Sequence, residues 1–160
     1  GEGGTLTTMK LATLVYLKRN LQTLMLHRVK KANDYHEGKY NGLGGKLEPG
    51  ESPEECAIRE TREESGLELV DPILKGFITF PNFDGVDDWH VFLFVGTQFT
   101  GEMIDSPEGD LEWIDDDQLA GIPLWEGDYM FLSWLEGDRF FSAKFNYEDG
   151  RYIDHTVTFH

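Results

Sequence analysis

The stretch Gly45–Leu67 reads GKLEPGESPEECAIRETREESGL and contains the clearest helix signals of the chain. Ser52 can cap a helix, the proline that follows it suits the first turn, and Glu55 completes an S-x-x-E capping box. Gly66 is a typical stop, because glycine readily adopts the left-handed conformation that ends many helices. Together these signals predict a helix over Ser52–Ser65, preceded by a glycine- and proline-containing loop.

Three acidic residues share one face of this helix. Glu60, Glu63 and Glu64 are three and four positions apart, so their side chains are neighbours. Like charges at this spacing destabilise a helix by about 0.2–0.5 kcal/mol per pair. Arg59 can reach Glu63, but one arginine cannot neutralise three carboxylates. A hard divalent cation could, and Mg²⁺ takes oxygen ligands while keeping waters and substrate phosphates in its shell.

A solvated acidic helix face would also explain the glutamates, and the neighbouring residues decide between the two interpretations. Gly44, Gly45 and Lys46 lie just upstream, where the backbone can approach a ligand closely and a carbonyl can join a metal shell. Glu51 follows Gly45 after five residues, and Arg59 follows after seven more. An ordinary turn would explain one glycine but not the whole spacing, so the sequence favours a metal site.

The rest of the chain predicts strands and one further main helix. β-Branched and aromatic runs predict strands at Lys10–Leu17, Thr23–Arg28, Ile73–Phe80, Trp89–Phe99, Leu111–Ile114, Phe140–Tyr147 and Tyr152–Phe159. Val29–Gly45 is predicted to be a loop, Asp115–Leu119 a helical turn and Gly127–Glu136 the second main helix. This order predicts one mixed α/β (α+β) domain over residues 9–160, with Gly1–Thr8 interpreted as a tag remnant outside the fold.

Composition and charge narrow the function classes. The chain of 160 residues has a formal net charge of −16, which argues against a nucleic acid polymer as partner. An acidic protein can still bind a small polyanion when divalent cations mediate the contact. No apolar run approaches the roughly 18 residues of a membrane span. Cys56 is the single cysteine, so no internal disulfide can form, and we expect a cytoplasmic monomer or small homo-oligomer.

The quoted stretch resembles the Nudix box, G-x5-E-x7-R-E-U-x-E-E-x-G-U, where U is a bulky aliphatic residue. Every charged and glycine position of the pattern is filled, and Thr61 is the one departure, for which we expect slightly weaker packing. The resemblance implies a Nudix fold, a mixed sheet sandwiched between helices, with the box as a loop-helix-loop. It also implies hydrolysis of a nucleoside diphosphate linked to another group.

The resemblance further implies which residues act in the box. It matches the family's catalytic and metal-binding carboxylates to Glu60, Glu63 and Glu64. Gly44 matches a backbone carbonyl ligand, and Arg59 and Glu51 match the pair that orients the helix glutamates. The implied cofactor is Mg²⁺, with Mn²⁺ as the alternative cation. Lys46, beside the glycines, is a candidate phosphate contact.

Outside the box the chain resembles the MutT/MutX-type branch, which acts on oxidised purine nucleoside triphosphates such as 8-oxo-dGTP. The similar segments are GKYNGLGG from Gly38, ITFPNF from Ile78, EGDLEW from Glu108, WEGDYMFLSWL from Trp125 and FFSAKF from Phe140. In this branch the products are the nucleoside monophosphate and pyrophosphate. The likeness therefore implies a nucleoside triphosphate substrate and a role in sanitising the nucleotide pool.

The same likeness implies which residues contact the substrate. Glu108 matches a further metal-approaching carboxylate, Asn41 a purine hydrogen-bonding residue, and Trp125 a base-stacking position, with Tyr35 as a second aromatic wall. Asp128 matches an acid that reads the base edge, because a protonated carboxyl can donate to an oxopurine. The mammalian enzyme has two adjacent acids where this chain has Gly127-Asp128, which leaves the details of base recognition open.

Two other functions stay open at the level of sequence. Pro81 lies fifteen residues after Gly66, as in Nudix hydrolases of ADP-ribose, so ADP-ribose or another nucleoside diphosphate derivative is an alternative substrate. A non-catalytic nucleotide sensor is disfavoured, because every box glutamate is present. The five histidines show no metal-ligand spacing and are predicted to be structural or surface residues.

Overall fold

The computed structural model of the protein describes residues 8–30 and 36–160. The strands of this part are β1 Met9–Arg19, β2 Gln22–His27, β3 Tyr40–Asn41, β4 Glu68–Val70, β5 Ile73–Phe80, β6 Asp88–Gly96, β7 Gln98–Thr100, β8 Asp110–Asp115, β9 Phe141–Glu148 and β10 Arg151–Phe159. The helices are α1 Pro53–Ser65, α2 Asp128–Trp134 and a 3₁₀ helix, Asp116–Gly121. Among the described residues, no helix is both long enough and apolar enough to cross a membrane.

Eight strands form one mixed sheet in the order β10-β9-β5-β6-β1-β2-β3, with β8 paired to β2, while β4 and β7 form a separate ribbon. The central pair, β1 and β6, is parallel from Met9 opposite Asp88 to Leu17 opposite Gly96. Strand β5 is antiparallel to β6 and parallel to β9. The main sheet thus mixes parallel and antiparallel neighbours, as predicted.

Strand β1 carries both apolar cores because successive side chains of a strand point to opposite faces. Val15 and Leu17 belong to a cluster that includes Ala57 of α1. Tyr16, between them, belongs to a second cluster with Phe131 of α2. The sheet therefore lies between the two helices, which confirms the predicted sandwich.

The predicted caps of α1 are present. The Ser52 hydroxyl accepts from the Glu55 backbone N–H at 3.1 Å, and a Glu55 carboxylate oxygen accepts from the Ser52 N–H at 3.0 Å. At the other end Gly66 has φ 80° and its N–H donates to the Arg62 carbonyl. Local chemistry thus fixes where the helix begins and ends, and with it the direction of its side chains.

Several predicted boundaries were wrong. The strand expected over Trp89–Phe99 is two strands, because after Gly96 the chain leaves the main sheet and β7 pairs with β4. The segment expected to be a loop over Val29–Gly45 contains β3, and the helix expected over Gly127–Glu136 is limited to α2. The carbonyl oxygen of Thr8 accepts a hydrogen bond from the Asp88 N–H, and the predicted domain boundaries stay a prediction.

Thr61 shows the consequence of a polar residue at an aliphatic position. Its side chain is fully buried on α1, and its hydroxyl has no hydrogen-bond partner within residues 8–30 and 36–160. A buried polar group without a partner loses its bonds to water and gains nothing in return. We therefore expect the buried Thr61 hydroxyl to add a desolvation cost to the slightly weaker packing predicted for this position.

We predict that Thr61→Val raises the free energy of unfolding by about 1 kcal/mol, because it keeps the side-chain shape and removes the unpaired hydroxyl. Urea denaturation measures the difference. Thr23→Val is the matched control, since the buried Thr23 hydroxyl accepts from Lys18 and donates to Asp116, and its loss should destabilise the protein. Equal destabilisation by both substitutions would contradict the interpretation.

Candidate active site

The loop before α1 is attached to the central strand. The Val15 N–H donates to the Leu43 carbonyl at 2.7 Å, and the Thr13 N–H donates to the Gly45 carbonyl at 2.9 Å. These bonds bring the loop beside α1, where buried Cys56 lies with its sulfur 3.4 Å from the Thr13 hydroxyl. Cys56 therefore packs between α1 and β1.

Two glycines of this loop permit a close approach that no other residue would. Gly44 has φ +131°, and a Cβ there would lie 2.1 Å from the Thr13 carbonyl oxygen. A Cβ on Gly45 would lie 2.6 Å from the carboxyl carbon of Glu60. Glycine at these positions lets the loop backbone lie directly against the strand on one side and the helix carboxylate on the other.

Arg59 connects the loop to the helix carboxylates. Its guanidinium holds Glu51 with two hydrogen bonds of 2.7 and 3.0 Å, the bidentate geometry that makes such pairs strong. It also donates to Glu60 at 2.9 Å and to Glu63 at 3.2 Å. Arg59 lowers the pKa of Glu51 from 4.5 to about 2, so this pair is charged at neutral pH.

Two of the helix carboxyl groups lie in a desolvated environment. Glu64 is only 6% exposed and accepts a hydrogen bond of 2.8 Å from the Gly44 N–H. Burial raises the pKa of Glu64 to about 8, and burial also raises the pKa of Glu60, against the opposing effect of Arg59. Glu63 is exposed on the same face. These carboxyl groups therefore lie where a bound cation would offset the free-energy cost of removing their charges from water.

The donor chemistry of this face fits a hard divalent cation. Glu60, Glu63 and Glu64 offer only oxygen atoms, the ligands that Mg²⁺ prefers. Within the described ranges, no three His, Cys, Asp or Glu side chains already converge as a ready coordination group. Arg59 and the Gly44 N–H hold carboxylate oxygens instead, so cation binding would need these hydrogen bonds to be exchanged.

Glu108 reaches the same region from the loop before β8. Its carboxylate lies 3.6 Å from the Arg28 guanidinium at the end of β2. The Lys30 ammonium bonds Asp105 at 2.6 Å in the same loop. A Cβ on Gly109 would lie 2.1 Å from the His27 carbonyl oxygen, so the loop is pressed against β2. Glu108 also lies close enough to Glu64 for its charge to contribute to the raised pKa of Glu64, and its predicted role at a metal stays a prediction.

A cavity of about 650 Å³ adjoins the glycine loop, the helix carboxylates and Glu108. Its lining includes most of the predicted site residues: Asn41, Gly44, Lys46, Glu60, Glu63, Glu64, Glu108, Trp125 and Asp128. Arg59 and Glu51 are not among its lining residues and act on it through the carboxylates they hold. Tyr35 lies outside the described residues, so its predicted role stays a prediction.

The cavity also has an aromatic wall. Trp125 is 8% exposed, and its indole N–H donates to His36 Nδ1 at 2.7 Å. The Lys39 ammonium lies 4.8 Å from the centre of the Trp125 ring, and the Phe83 ring packs edge-on at 4.9 Å. These contacts fix the orientation of the indole beside the cavity.

Asp128 begins α2 at the border of this wall. It is 7% exposed, and burial raises its pKa to about 8, with Lys39 opposing the shift. Its other titratable neighbours are Tyr16 and Tyr147. The raised pKa favours the protonated carboxyl of Asp128, which is the form that the predicted contact with a base edge requires. This contact stays a prediction.

A sequence model described as the NUDIX domain matches residues 8–135, most of the chain. The protein belongs to the Nudix hydrolase family. Hydrolases of this family generally use a divalent metal such as Mg²⁺.

Three individual proteins are similar to this Nudix hydrolase over most of its length. It is 33% identical over 147 residues to the uncharacterized Nudix hydrolase YvcI of Bacillus subtilis, covering 89% of each chain. It is 32% identical over 142 residues to the oxidized purine nucleoside triphosphate hydrolase of Danio rerio, covering 88% of each. The crystal structure of a MutT protein from Bacillus halodurans matches with TM-score 0.81 and 32% identity over 92% of this chain and 97% of that one.

Several cavity residues of this Nudix hydrolase were not predicted, among them His36, Phe83 and Tyr147. His36, expected to be structural or a surface residue, lines the cavity and bonds Trp125. Phe83 and Tyr147 also line it. His36 lies in a segment that has neither helical nor strand periodicity. The alternating pattern around Tyr147 predicts only an ordinary strand position. The ITFPNF segment, which ends at Phe83, is the one signal that could have pointed to the aromatic wall.

We predict that the stability difference between the wild-type Nudix hydrolase and Glu51→Gln depends on pH. Because the folded-state pKa of Glu51 is about 2 and its ordinary value is 4.5, its contribution is fully present above pH 4.5 and lost as the pH falls through 2. Urea denaturation between pH 7 and pH 3 measures this. Glu54→Gln, an exposed residue of the same helix, is the control, and a pH-independent difference for Glu51→Gln would contradict the assignment.

Proposed function

We propose that this Nudix hydrolase converts oxidised purine nucleoside triphosphates, such as 8-oxo-dGTP, to the nucleoside monophosphate and pyrophosphate with Mg²⁺. The observation that carries the proposal is the shared cavity, in which the box carboxylates and an aromatic wall line the same space. The name of the Danio rerio relative, an oxidized purine nucleoside triphosphate hydrolase, supports the same substrate class.

The box residues would hold the cation and the phosphate chain. In this proposal the carboxylates of Glu60, Glu63 and Glu64, with the Gly44 carbonyl and Glu108, bind Mg²⁺, or Mn²⁺ in its place. The bound cation would neutralise phosphate oxygens and make a coordinated water a better nucleophile. Exposed Lys46 can place its ammonium against the phosphate chain.

Arg59 and Glu51 would act as positioning residues. Their bidentate pair fixes the guanidinium, which in turn fixes Glu60 and Glu63 by hydrogen bonds. Phosphoryl transfer depends mainly on positioning and charge stabilisation, so this pair contributes without contacting the substrate. A helix carboxylate, or Glu108, would accept the proton of the attacking water.

The aromatic wall would bind the base. Trp125 offers a flat apolar surface, the Asn41 amide offers donors and an acceptor, and the protonated Asp128 offers a donor to an oxygen-bearing base edge. Tyr35 is proposed as the opposite wall. Phe80 and Phe83 line the cavity whereas Pro81, the residue that suggests ADP-ribose, is not among the lining residues.

A substrate comparison tests the proposal. With Mg²⁺ present, we expect the wild-type protein to release pyrophosphate from 8-oxo-dGTP faster than it cleaves dGTP or ADP-ribose. Glu64→Gln should retain the fold and lose activity by about 100-fold or more, because a carboxylate ligand of the proposed Mg²⁺ is lost. Chromatography of the products and circular dichroism measure the two properties.

Glu54→Gln is the matched control, since Glu54 is exposed in the first turn of the same helix. It should keep full activity. Unchanged turnover in Glu64→Gln would refute the assignment of the box carboxylates, whereas a preference for ADP-ribose would refute only the substrate.

We predict that purine binding weakens as the pH rises through about 8, because the Asp128 carboxyl loses its proton there. The KM for 8-oxo-dGTP should rise about tenfold between pH 7 and pH 9 if only the protonated form binds. Asp128→Asn keeps an N–H donor at every pH, so its profile should lack this step. Parallel profiles of the wild type and the variant would exclude Asp128 as the donor.

A further inference from the structure

The position beside Asp128 is filled by a side chain from a distant strand. Gly127 precedes Asp128, and its N–H donates to the Tyr147 hydroxyl at 2.7 Å. A Cβ on Gly127 would lie 2.7 Å from that hydroxyl oxygen and 2.7 Å from a ring carbon of Phe145. Residue 127 has no side chain here, and the phenol of Tyr147 occupies the space that such a side chain would need.

The Tyr147 ring is held rigidly by aromatic neighbours. Phe83 packs edge-on at 5.1 Å and Trp125 at 5.9 Å, while Phe80 lies at 6.3 Å. Tyr147, Phe83, Trp125 and Phe80 all line the cavity. The hydroxyl is thus fixed at the cavity by its ring contacts as well as by Gly127.

The Tyr147 hydroxyl has one proton that it can still donate. A tyrosine hydroxyl can accept and can donate one proton, and the Gly127 N–H already uses its acceptor side. In the described part of the chain, no acceptor of the Tyr147 proton is present. Burial and the nearby Asp128 raise the pKa of Tyr147 well above 10, so the proton stays available.

We propose that Tyr147 is a specificity-determining residue whose hydroxyl donates a hydrogen bond to an exocyclic oxygen of the bound oxopurine. This inference rests on the proposed function, since it requires a purine beside Trp125. Asp128 and Tyr147 then form a pair of donors at one border of the cavity. Such a pair binds a carbonyl oxygen and leaves an amino group at the same place without an acceptor, so it favours an oxo substituent over an amino substituent at that edge of the purine.

Tyr147→Phe tests the inference because it removes only the oxygen. Three substrates are compared: 8-oxo-dGTP, dGTP, which lacks the oxygen at C8, and the 8-oxo-2-aminopurine deoxynucleoside triphosphate, which lacks the oxygen at C6. We expect kcat/KM for 8-oxo-dGTP to fall about three- to tenfold, the range for one neutral hydrogen bond, mainly through KM. For the analogue that lacks the contacted oxygen, kcat/KM should not change. The ratio of kcat/KM between 8-oxo-dGTP and that analogue should therefore fall.

Two further variants separate recognition from folding. Tyr152→Phe is the matched control, since the Tyr152 hydroxyl bonds His155 at 2.6 Å and Tyr152 is not a cavity-lining residue, and it should change no preference. Gly127→Ala should narrow the preference as Tyr147→Phe does, because its methyl group would displace the phenol.

Equal losses on all three substrates in Tyr147→Phe would mean a purely structural role and would overturn the inference. An unchanged preference would also overturn it, while leaving the proposed function intact as long as the wild type cleaves 8-oxo-dGTP. If the wild type cleaves none of the three, the proposed function fails, and this inference fails with it.

Discussion

The burial of carboxyl groups against a glycine backbone is the constraint on which the rest of this molecule depends. Glu64 and Glu60 are held where water is largely excluded, and their pKa values are raised in consequence. Such an arrangement costs free energy unless hydrogen bonds or cations compensate it. The Gly44 N–H and the Arg59 guanidinium supply part of that compensation, and phosphate-bound cations would supply the remainder.

Hydrogen bonds and side-chain packing connect the carboxylate face of α1 to the sheet. The capping box sets the start of the helix, and the loop before it is tied to β1 through Val15 and Thr13. The neighbouring residue of β1, Tyr16, packs on the opposite face with α2, where Asp128 lies. One strand therefore links the carboxylate face to the aromatic wall, and a single cavity borders both the box carboxylates and Trp125.

The sequence predicted the parts that local chemistry determines. The caps of α1, the spacing of Glu60 and Glu64 and the long strands follow from period and capping signals, and these agree with the structure. The short strands β3 and β4 were missed, because two or three residues carry no readable period, and β7 was merged with β6 in one predicted strand. The break of the predicted strand at Gly96 depends on pairing with a distant segment, which local pattern does not encode.

The unpredicted part of the site arises from contacts between distant segments. His36 joins the site through its hydrogen bond with the indole of Trp125, 89 residues away. Tyr147 matters because Gly127 lacks a side chain, a relation across 20 residues. A single sequence shows the missing side chain at Gly127 but not the residue that fills its space. Convergence of this kind requires the folded structure.

The most direct test of the central claim is a crystal structure with Mn²⁺ and a non-hydrolysable nucleoside triphosphate analogue, in which anomalous scattering locates the metal. The account predicts Mn²⁺ coordinated by oxygens of the α1 glutamates and by phosphate oxygens, with the base against Trp125. Metal or phosphate bound elsewhere, with Glu60 and Glu64 still held only by Arg59 and the Gly44 N–H, would contradict it.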